Sequence, residues 1–400
     1  MTDREYDLIL VGATGFVGRL TAAYLARSAP TDASIALAGR SRDKLERIRA
    51  ELPQAAHDWP LLTVDVTDAG AAAEISARTS VIVTTVGPYA TYGNELIAAC
   101  AEQGTHYADL TGEVLFVHDV IEQHQDRAVE TGARIVNSCG FDSVPSDLGV
   151  MLADQAAAAD HEGRLVEASL HVRRAKGGFS GGTIDSMRQQ MIAMTADPST
   201  RRVVANPDAL AAQRTTYGRG DGPIGKNPST GRWHGPFVMS GYNTRVVRRS
   251  WSLTHGDAPL IYDEVVDTGR GPKGAAAAAA VSLGTAGLAA AMAIGPARSV
   301  LDKFLPAPGE GPSEEQRAAG MFEIEIDAET TTGAQYSVTV AAPYDPGYDG
   351  TAVMLGESGL ALAAGEGSER VGVLTPATAL GEALVDRLRA QGFTFTVSPK

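Results

Sequence analysis

The stretch DLILVGATGFVG, residues 7–18, constrains the fold more than any other part of this sequence. An apolar run of strand length leads directly into three glycines, and a helical pattern follows, as at the start of a βαβ unit. Gly12 would allow the tight turn out of the strand, and Gly15 would let the backbone approach a pyrophosphate. Gly18 would allow the helix to pack closely on the strand. The stretch therefore predicts a nucleotide site.

The glycine spacing is G-x-x-G-x-x-G, which departs from the common G-x-G-x-x-G, and a tight turn without a ligand would also explain it. The position directly between a strand and a helix favours the nucleotide site. The backbone around Thr14 and Phe16, where the helix begins, is then expected to face the phosphates.

The rest of the chain predicts two kinds of sheet. Short β-branched runs alternate with helical stretches up to residue 140, which is typical of a parallel sheet. The predicted strands are YDLILV (6–11), SIALAG (34–39), LLTVDV (61–66), SVIVTTV (80–86), HYADL (106–110) and ARIVNS (133–138). Later strands alternate at period two, which indicates antiparallel strands with one buried face. These are LVEASLHVRRA (165–175), GYNTRVVRRSWSL (241–253), MFEIEIDAE (321–329) and AQYSVTVAA (334–342).

The expected fold class is α/β, with an N-terminal Rossmann-type parallel sheet and a second α+β domain built on a largely antiparallel sheet. We expect the Rossmann domain to cover 1–145 and the α+β domain, for substrate binding or dimerisation, to cover 146–348. C-terminal helices over 349–400 should pack back on the Rossmann domain. Residues 196–236 are rich in Pro, Gly, Asn and Arg, which predicts a surface excursion or lid.

The segment 274–297 carries no charge and is long enough to span a bilayer. Its residues are mostly Ala and Gly, so it would gain little on entering lipid. We expect a helix that is buried or lies at an interface. A membrane-dipping helix and a true span are the alternatives.

Overall composition excludes several classes of protein. The net charge of −14 and the pI near 5.0 argue against a nucleic-acid partner, which requires a clustered positive field. Cys100 and Cys139 are the two cysteines, and their spacing indicates neither a disulfide framework nor a metal site. The N-terminal residues lack the pattern of a signal peptide, which predicts a cytoplasmic protein. Contact with the inner face of the plasma membrane would come from 274–297.

The end of the second predicted strand selects the cofactor. An NAD site has an Asp or Glu at this place for the ribose 2′-hydroxyl, whereas this chain has Gly39 followed by Arg40 and Ser41. A guanidinium and a hydroxyl suit a 2′-phosphate, and Lys44 follows one turn later. We therefore predict NADP as the cofactor. A solvated helix face would also explain Lys44.

Two further loops at the carboxyl edge of the sheet are expected to contact the nucleotide. Asp65, at the end of the third strand, could accept from the adenine amino group or cap the next helix. Gly87 and Pro88, after the fourth strand, are expected beside the nicotinamide ribose, because ligands of parallel sheets bind at this edge.

The ordered series of motifs resembles the saccharopine dehydrogenase-like oxidoreductases, and within them the trans-acting enoyl reductase branch of actinobacteria. The motifs are GATGFVG, LAGRSRDKL, VGPYATYGNELIAAC, HYADLTGE, CGFDSVPSDLG, SGGTIDS, PGEGPSEEQR, YDPGYDGTAVMLGESGLALA and GVLTPATALGEALVDRLRAQGFTF. The resemblance implies an NADP-binding Rossmann domain, a second α+β domain and a reductase. The branch is similar to enzymes that supply the double-bond reduction missing from a lipid-forming polyketide synthase. It thus implies a polyketide or fatty acyl substrate, and a polyketide synthase as partner.

Enoyl reduction leaves an enolate, whose oxygen needs a hydrogen-bond donor and whose α-carbon needs a proton. Tyr89 and Tyr92, in the loop after the fourth strand, could serve either task, although ordinary packing would also explain them. Asp109 could relay a proton or fix its loop. Asp142 is expected near the domain junction, where clefts form.

Two features of the second domain leave alternatives open. Placed on a strand, Arg245 and Arg249 would share one face and Arg248 the other, where they could meet a phosphate or remain solvated. The glycine-rich stretch 176–186 could bind a carboxylate, thioester or phosphate, or act as a hinge.

Three functions follow from the sequence. The first is an NADPH-dependent enoyl reductase acting on an acyl substrate, free or carrier-bound. The second is carbon–nitrogen reduction of the saccharopine type. The third is a non-catalytic nucleotide-binding module associated with a membrane. A homodimer is compatible with each.

Overall fold

Two seven-stranded sheets form the framework of the protein. The structure is a computed structural model that describes residues 4–177, 181–216, 224–227, 230–293 and 311–400. The strands of the first sheet are β1 (Tyr6–Val11), β2 (Ile35–Gly39), β3 (Leu61–Thr63), β4 (Thr79–Thr84), β5 (His106–Ala108), β6 (Arg134–Val136) and β13 (Gly372–Leu374). They lie in the order β13-β6-β5-β4-β1-β2-β3, and all neighbours are parallel. The predicted Rossmann-type sheet is confirmed.

Helices connect these strands where the sequence predicts them. They are α1 (Phe16–Ser28), α2 (Arg42–Glu51), α3 (Ala69–Ala77), α4 (Tyr89–Tyr92), α5 (Asn94–Gln103) and α6 (Val114–Thr131). α5 and α6 end at Gly104 and Gly132, whose φ angles of +65° and +80° lie in the left-handed region that favours glycine. β2 is buried along its whole length, as expected for a strand with helices on both faces.

The second sheet is mostly antiparallel, which confirms the second part of the predicted fold class. Its strands are β7 (Leu165–Lys176), β8 (Gly225–Lys226), β9 (Arg232–Pro236), β10 (Ile261–Arg270), β11 (Met321–Thr330), β12 (Gln335–Ala342) and β14 (Thr394–Pro399). They lie in the order β14-β12-β11-β7-β10-β9-β8, and only β7 and β10 pair in parallel among them. Alternate residues of β11 are buried, including Phe322, Ile324 and Ile326.

Nine helices of the described residues accompany the second sheet and the C-terminal region. They are α7 (Val144–Ala159), α8 (Gly181–Ala196), α9 (Pro198–Ala205), α10 (Ser240–His255), α11 (Gly271–Ala293), α12 (Glu314–Ala318), α13 (Thr351–Ala363), α14 (Pro376–Ala379) and α15 (Gly381–Ala390). A π-helical turn, Pro346–Gly350, leads into α13. Residues 178–180 of the glycine-rich stretch lie outside the described residues.

The strand predicted over 241–253 is wrong, because these residues form helix α10. Arg245, Arg248 and Arg249 are buried in it and donate to main-chain carbonyl oxygens of other segments. Buried arginines take positions that an amphipathic helix would give to apolar residues, so the helical period was obscured. Neither of the two roles considered for them, phosphate binding or a solvated strand face, fits these contacts.

The stretch 196–236 is more regular than the predicted excursion. Helix α9 and strands β8 and β9 lie within it, and the two strands extend the second sheet. Residues 217–223 and 228–229 of this stretch lie outside the described residues.

Helix α11 contains most of the apolar segment, of which 294–297 lie outside the described residues. Gly235 of β9 lies beneath it, since a Cβ there would be 3.2 Å from the side chain of Val281. The span Gly271–Met292 has a mean hydropathy of 1.6, and 11% of its most apolar window is buried. Leu283 is 75% exposed. Among the described helices, this one is long and apolar enough to cross a membrane.

The C-terminal residues add to both sheets and also cover α1. β13 is an edge strand of the first sheet and β14 an edge strand of the second. Helix α13 packs against α1, where the hydroxyl of Tyr24 donates to Glu357. Gly356 lies against the Tyr24 ring, so a larger residue there would collide with it.

Candidate functional site

The glycine loop between β1 and α1 has the shape of a phosphate cradle. Gly12 has a φ of +86°, and a Cβ at Gly18 would lie 2.1 Å from the carbonyl oxygen of Gly12. A Cβ at Gly15 would have only that same oxygen within 4 Å, at a distance of 3.4 Å. Gly15 precedes the first turn of α1, where no side chain caps the helix. Free N–H groups and the positive end of a helix dipole therefore face open space, which suits a pyrophosphate.

A cavity of about 500 Å³ extends from this cradle between the two sheets. The residues predicted for the nucleotide that line it are Gly12, Thr14, Gly15, Phe16, Gly18, Arg40, Asp65, Gly87 and Pro88. Tyr89, Tyr92 and Asp142 line it as well. The second sheet and its helices contribute Val172, Ala175, Gly177, Ser186, Met187, Phe237 and Met239. The fold thus brings most of the predicted site residues to one cavity.

One end of the cavity lies near β2 and β3. Arg40 lines it, and its side chain is exposed. Asp65 accepts hydrogen bonds from the N–H and the hydroxyl of Thr67, at 3.1 and 2.8 Å, and the side-chain bond chiefly lowers its pKa. The carboxylate is therefore ionised and fixed by its own turn.

Ser41 and Lys44 stand beside this end and do not line the cavity. The Ser41 hydroxyl accepts from the N–H of Lys44 at 3.4 Å and caps α2. This contact explains the two residues as parts of a helix start. Of the three residues, Arg40 alone lines the cavity.

Tyr89 is buried, and its hydroxyl already has two main-chain partners. It donates to the carbonyl oxygen of Thr84 at 3.2 Å and accepts from the N–H of Leu110 at 3.1 Å. Burial raises the pKa of Tyr89 well above its ordinary value. These contacts give Tyr89 the role of anchoring the loop after β4, and they argue against the predicted role as a donor. Tyr92 is 38% exposed and lines the cavity.

Asp109 is fully buried and does not line the cavity. Its carboxylate accepts four hydrogen bonds of 2.8 to 3.1 Å from two main-chain N–H groups and two side chains. The donors are Thr111, Ser138, Asn137 and Tyr107. Burial raises the pKa of Asp109 to about 6 despite these donors. Asp109 thus fixes the loops after β5 and β6, which argues against a relay to substrate.

Glu113 joins the two halves of the cavity, a role that the sequence did not indicate. It accepts from the N–H groups of Tyr89 and Ala90, both at 2.9 Å, at the start of α4. It also accepts from the Ser186 hydroxyl of α8 at 2.8 Å. The Val114 N–H donates to Gln190 of the same helix at 3.2 Å. No spacing in the sequence connects Glu113 to residues so far along the chain.

A phosphate cradle at the carboxyl edge of a parallel sheet, opening into a cavity closed by a second sheet, defines a two-domain dinucleotide-dependent oxidoreductase. Residues 8–136 match the family described as the saccharopine dehydrogenase NADP binding domain. The predicted cofactor, NADP, is thereby confirmed. The chain belongs to the trans-acting enoyl reductase family.

Mycobacterial relatives match nearly the whole chain at 40% identity or more, which shows the family. The trans-acting enoyl reductase of Mycobacterium ulcerans is 41% identical over 97% of this chain and 97% of its own. That of Mycobacterium leprae is 40% identical, with the same coverage of both chains. A relative in Mycobacterium tuberculosis is 44% identical over 98% of this chain and 97% of its own.

Solved structures share the fold. The saccharopine dehydrogenase (L-Glu forming) of Saccharomyces cerevisiae aligns with a TM-score of 0.54 at 12% identity, over 98% of this chain and 99% of its own. The homospermidine synthase of Legionella pneumophila, solved in complex with NAD, aligns with a TM-score of 0.52 at 11% identity, over 100% of this chain and 92% of its own. At this identity the likeness supports the architecture.

Proposed function

We propose that this protein reduces a carbon–carbon double bond in a polyketide or fatty acyl thioester with NADPH, acting in trans on the product of a polyketide synthase. The observation that carries the proposal is a cavity with the glycine loop on one side and an apolar wall on the other. The name and full-length similarity of the mycobacterial relatives support the same reaction.

The apolar wall suits an acyl chain. Met187, Phe237 and Met239 come from the second half of the molecule, and Leu110 and Phe141 come from the loops of the first sheet. Long flexible methionine side chains adapt to ligands of irregular shape. A charged amino acid substrate would gain nothing from such a wall, so the residues favour acyl reduction over saccharopine-type chemistry.

NADPH, when bound, supplies the hydride that the β-carbon receives. The glycine loop would hold its pyrophosphate, and Arg40 would hold its 2′-phosphate by charge-assisted hydrogen bonds. Gly87 and Pro88 would lie beside the nicotinamide end. Asp65 would face the adenine.

Tyr92 is our candidate for the proton that the α-carbon receives. The residue lines the cavity and is 38% exposed, so water could return a proton to its hydroxyl. Asp142 also lines the cavity and is the second candidate. Tyr89 and Asp109 would act by holding the surrounding loops.

The test is a spectrophotometric assay of NADPH oxidation by the purified protein with enoyl thioesters of increasing chain length. We expect oxidation with an enoyl thioester and a product two hydrogens heavier by mass spectrometry. Oxidation only with an amine and an oxo acid would assign the protein to saccharopine-type reactions instead. Nucleotide binding with no turnover on either set would support the non-catalytic module.

We also propose peripheral contact of α11 with a membrane, which would place the enzyme beside lipid products. The exposed apolar surface of this helix, including Leu283, supports contact without a span. A homodimer is a further proposal, which sedimentation of the purified protein would test.

A further inference from the structure

Glu113 fixes the turn that follows the predicted nicotinamide subsite. It is 3% exposed, and its two carboxyl oxygens accept from the N–H groups of Tyr89 and Ala90, both at 2.9 Å. These groups belong to the first turn of α4, where a helix has no carbonyl partners of its own for its N–H groups. Pro88 directly precedes this turn and lines the cavity. Because each oxygen holds one N–H, the position of Glu113 sets the position of the chain at Gly87 and Pro88.

The same carboxyl group also binds the second half of the molecule. It accepts from the Ser186 hydroxyl of α8 at 2.8 Å, on the oxygen that also accepts from Tyr89. Gln190 of α8 accepts from the N–H of Val114, the residue after Glu113, at 3.2 Å. Positions 186 and 190 lie on one face of α8, because helical residues four apart are neighbours. Two adjacent residues at the start of α6 thus hold one face of α8.

The loop before Glu113 lies against the apolar wall. Residues 110–112 line the cavity. Gly112 lies next to Met239, since a Cβ at position 112 would be 3.5 Å from the Cε of that methionine. Met187, the other methionine of the wall, comes from α8 and directly follows the serine that Glu113 holds. Both methionines of the wall are therefore positioned from this loop.

Glu113 thus joins two parts of the cavity that would bind different ligands. One part is the loop at Gly87 and Pro88, and the other is the apolar wall at Met187. A ligand that fixes one part also fixes the oxygens of Glu113, and these oxygens restrict the other part. Such a link is reciprocal, because a ligand that strengthens the binding of a second ligand is itself bound more tightly by the same factor.

We propose that Glu113 is a positioning residue that couples NADPH binding to acyl binding. When the nucleotide is bound, the loop after β4 is fixed, Glu113 holds Ser186 in turn, and α8 keeps Met187 in place for the acyl chain. The acyl identity of the second ligand rests on the proposed enoyl reduction. Acyl ligands therefore bind more tightly to the complex with NADPH than to the free protein.

The first test measures this coupling by calorimetry with a saturated acyl thioester, which has no double bond to reduce. Wild type should bind the thioester at least about fivefold more tightly when NADPH is present, the lower end of the usual range for coupled sites. Ser186→Ala should bring the ratio of the two affinities close to one. A merely structural role would weaken binding in both states and leave the ratio unchanged, and that result would overturn the proposal.

Two further variants serve as controls for this ratio. Ser186→Thr keeps a hydroxyl at the position and should keep the wild-type ratio. Ser169→Ala removes a hydroxyl that donates at 2.6 Å to Asp263 within the second sheet, and Ser169 does not line the cavity. Its ratio should also match that of wild type. A ratio near one in either control would refute the specific link through Ser186.

Hydrogen exchange of the main-chain amides tests the link without any acyl ligand. In wild type, NADPH should slow exchange in residues 186–196 of α8, because exchange reports local opening. The double variant Ser186→Ala/Gln190→Leu should lose this effect in α8 and keep the slowing in α1, which would show that it is folded and binds NADPH. No slowing in α8 of wild type, or equal slowing in the variant, would refute the coupling. If wild type binds no acyl thioester, the proposed function fails, and this experiment still decides the coupling.

Discussion

Gly18 lies against Gly12 so closely that a Cβ at position 18 would be 2.1 Å from the Gly12 carbonyl oxygen, whereas Gly15 leaves an open side. Substitution of Gly15 and of Gly18 should therefore have different effects. Gly15→Val should keep the fold and abolish the thermal shift caused by NADPH, because its side chain would occupy the phosphate space. Gly18→Val should lower the melting temperature without any nucleotide. A normal NADPH shift in Gly15→Val would show that the loop does not hold phosphate.

Arg40 should determine the preference for NADPH. Arg40→Ala should weaken NADPH binding about ten- to a hundredfold, from the loss of a charge-assisted contact of roughly 1.5–3 kcal/mol, and NADH binding much less. Fluorescence titration of both nucleotides measures this. Arg47→Ala is the control, because Arg47 is exposed on α2 and does not line the cavity. Equal losses for NADPH and NADH would rule out the 2′-phosphate contact.

Tyr92 and Tyr89 should respond differently to the same substitution. Tyr92→Phe should slow turnover by about 10²–10⁴-fold with little change in NADPH affinity, as for loss of a general acid. Tyr89→Phe should instead destabilise the fold by about 1–3 kcal/mol, because the half-buried N–H of Leu110 would lose its partner. Enoyl thioester assays and urea unfolding distinguish these effects. If Tyr92→Phe keeps full activity, Tyr92 is not the proton donor, and Asp142 becomes the candidate.

Glu264 should make stability depend on pH. It is buried and accepts from Tyr262 and Asn243, both at 2.9 Å, and burial raises its pKa to about 7. A carboxyl whose folded pKa exceeds its unfolded value near 4.3 stabilises the fold in acid, and that contribution is lost as pH rises toward 7. From pH 5 to pH 8, wild type should therefore lose up to about 3 kcal/mol relative to Glu264→Gln. Urea unfolding of both proteins at each pH measures this. If the difference in their free energies of unfolding is the same at pH 5 and pH 8, the raised pKa of Glu264 is contradicted.

Leu283 should matter for membrane contact and not for folding. Leu283→Glu places a charge on the exposed face of α11, so flotation with anionic lipid vesicles should decrease while the melting temperature stays unchanged. Val129→Glu is the control, because Val129 is an exposed apolar residue of α6 at 46% exposure. Loss of flotation in both variants, or in neither, would argue against a specific role for α11.

Local patterns in the sequence were enough to predict six of the seven strands of the first sheet and the cofactor. The seventh strand, β13, lies in the C-terminal region, where only helices were expected. The burial of β2 on both faces and the glycine loop after β1 are set by neighbours in the chain, so apolar runs and glycine spacing reveal them. The alternation in β11 likewise follows from one buried face. In α10 the same reasoning failed, because the side chains of Arg248 and Arg249 are buried against distant carbonyl groups.

The reacting end of the site could be predicted only in part. The positions of Tyr92 and Asp142, after β4 and β6, follow from the rule that parallel strands bind ligands at their carboxyl ends. The hydrogen bond between the hydroxyls of Ser138 and Tyr242 joins positions 104 residues apart, and the four donors to Asp109 come from two loops. Such contacts depend on how the two sheets pack, and no local pattern encodes that packing.

The edge strands β13 and β14 determine when the two sheets can be completed during synthesis of the chain. One closes the first sheet and the other the second, and both lie within residues 372–399. A nascent chain emerging from the ribosome therefore carries two unfinished sheets until these residues appear, each with an open edge able to pair with another chain. Premature termination before residue 372 would leave β6 and β12 as unpaired edge strands. Such products should bind chaperones and be degraded by proteases.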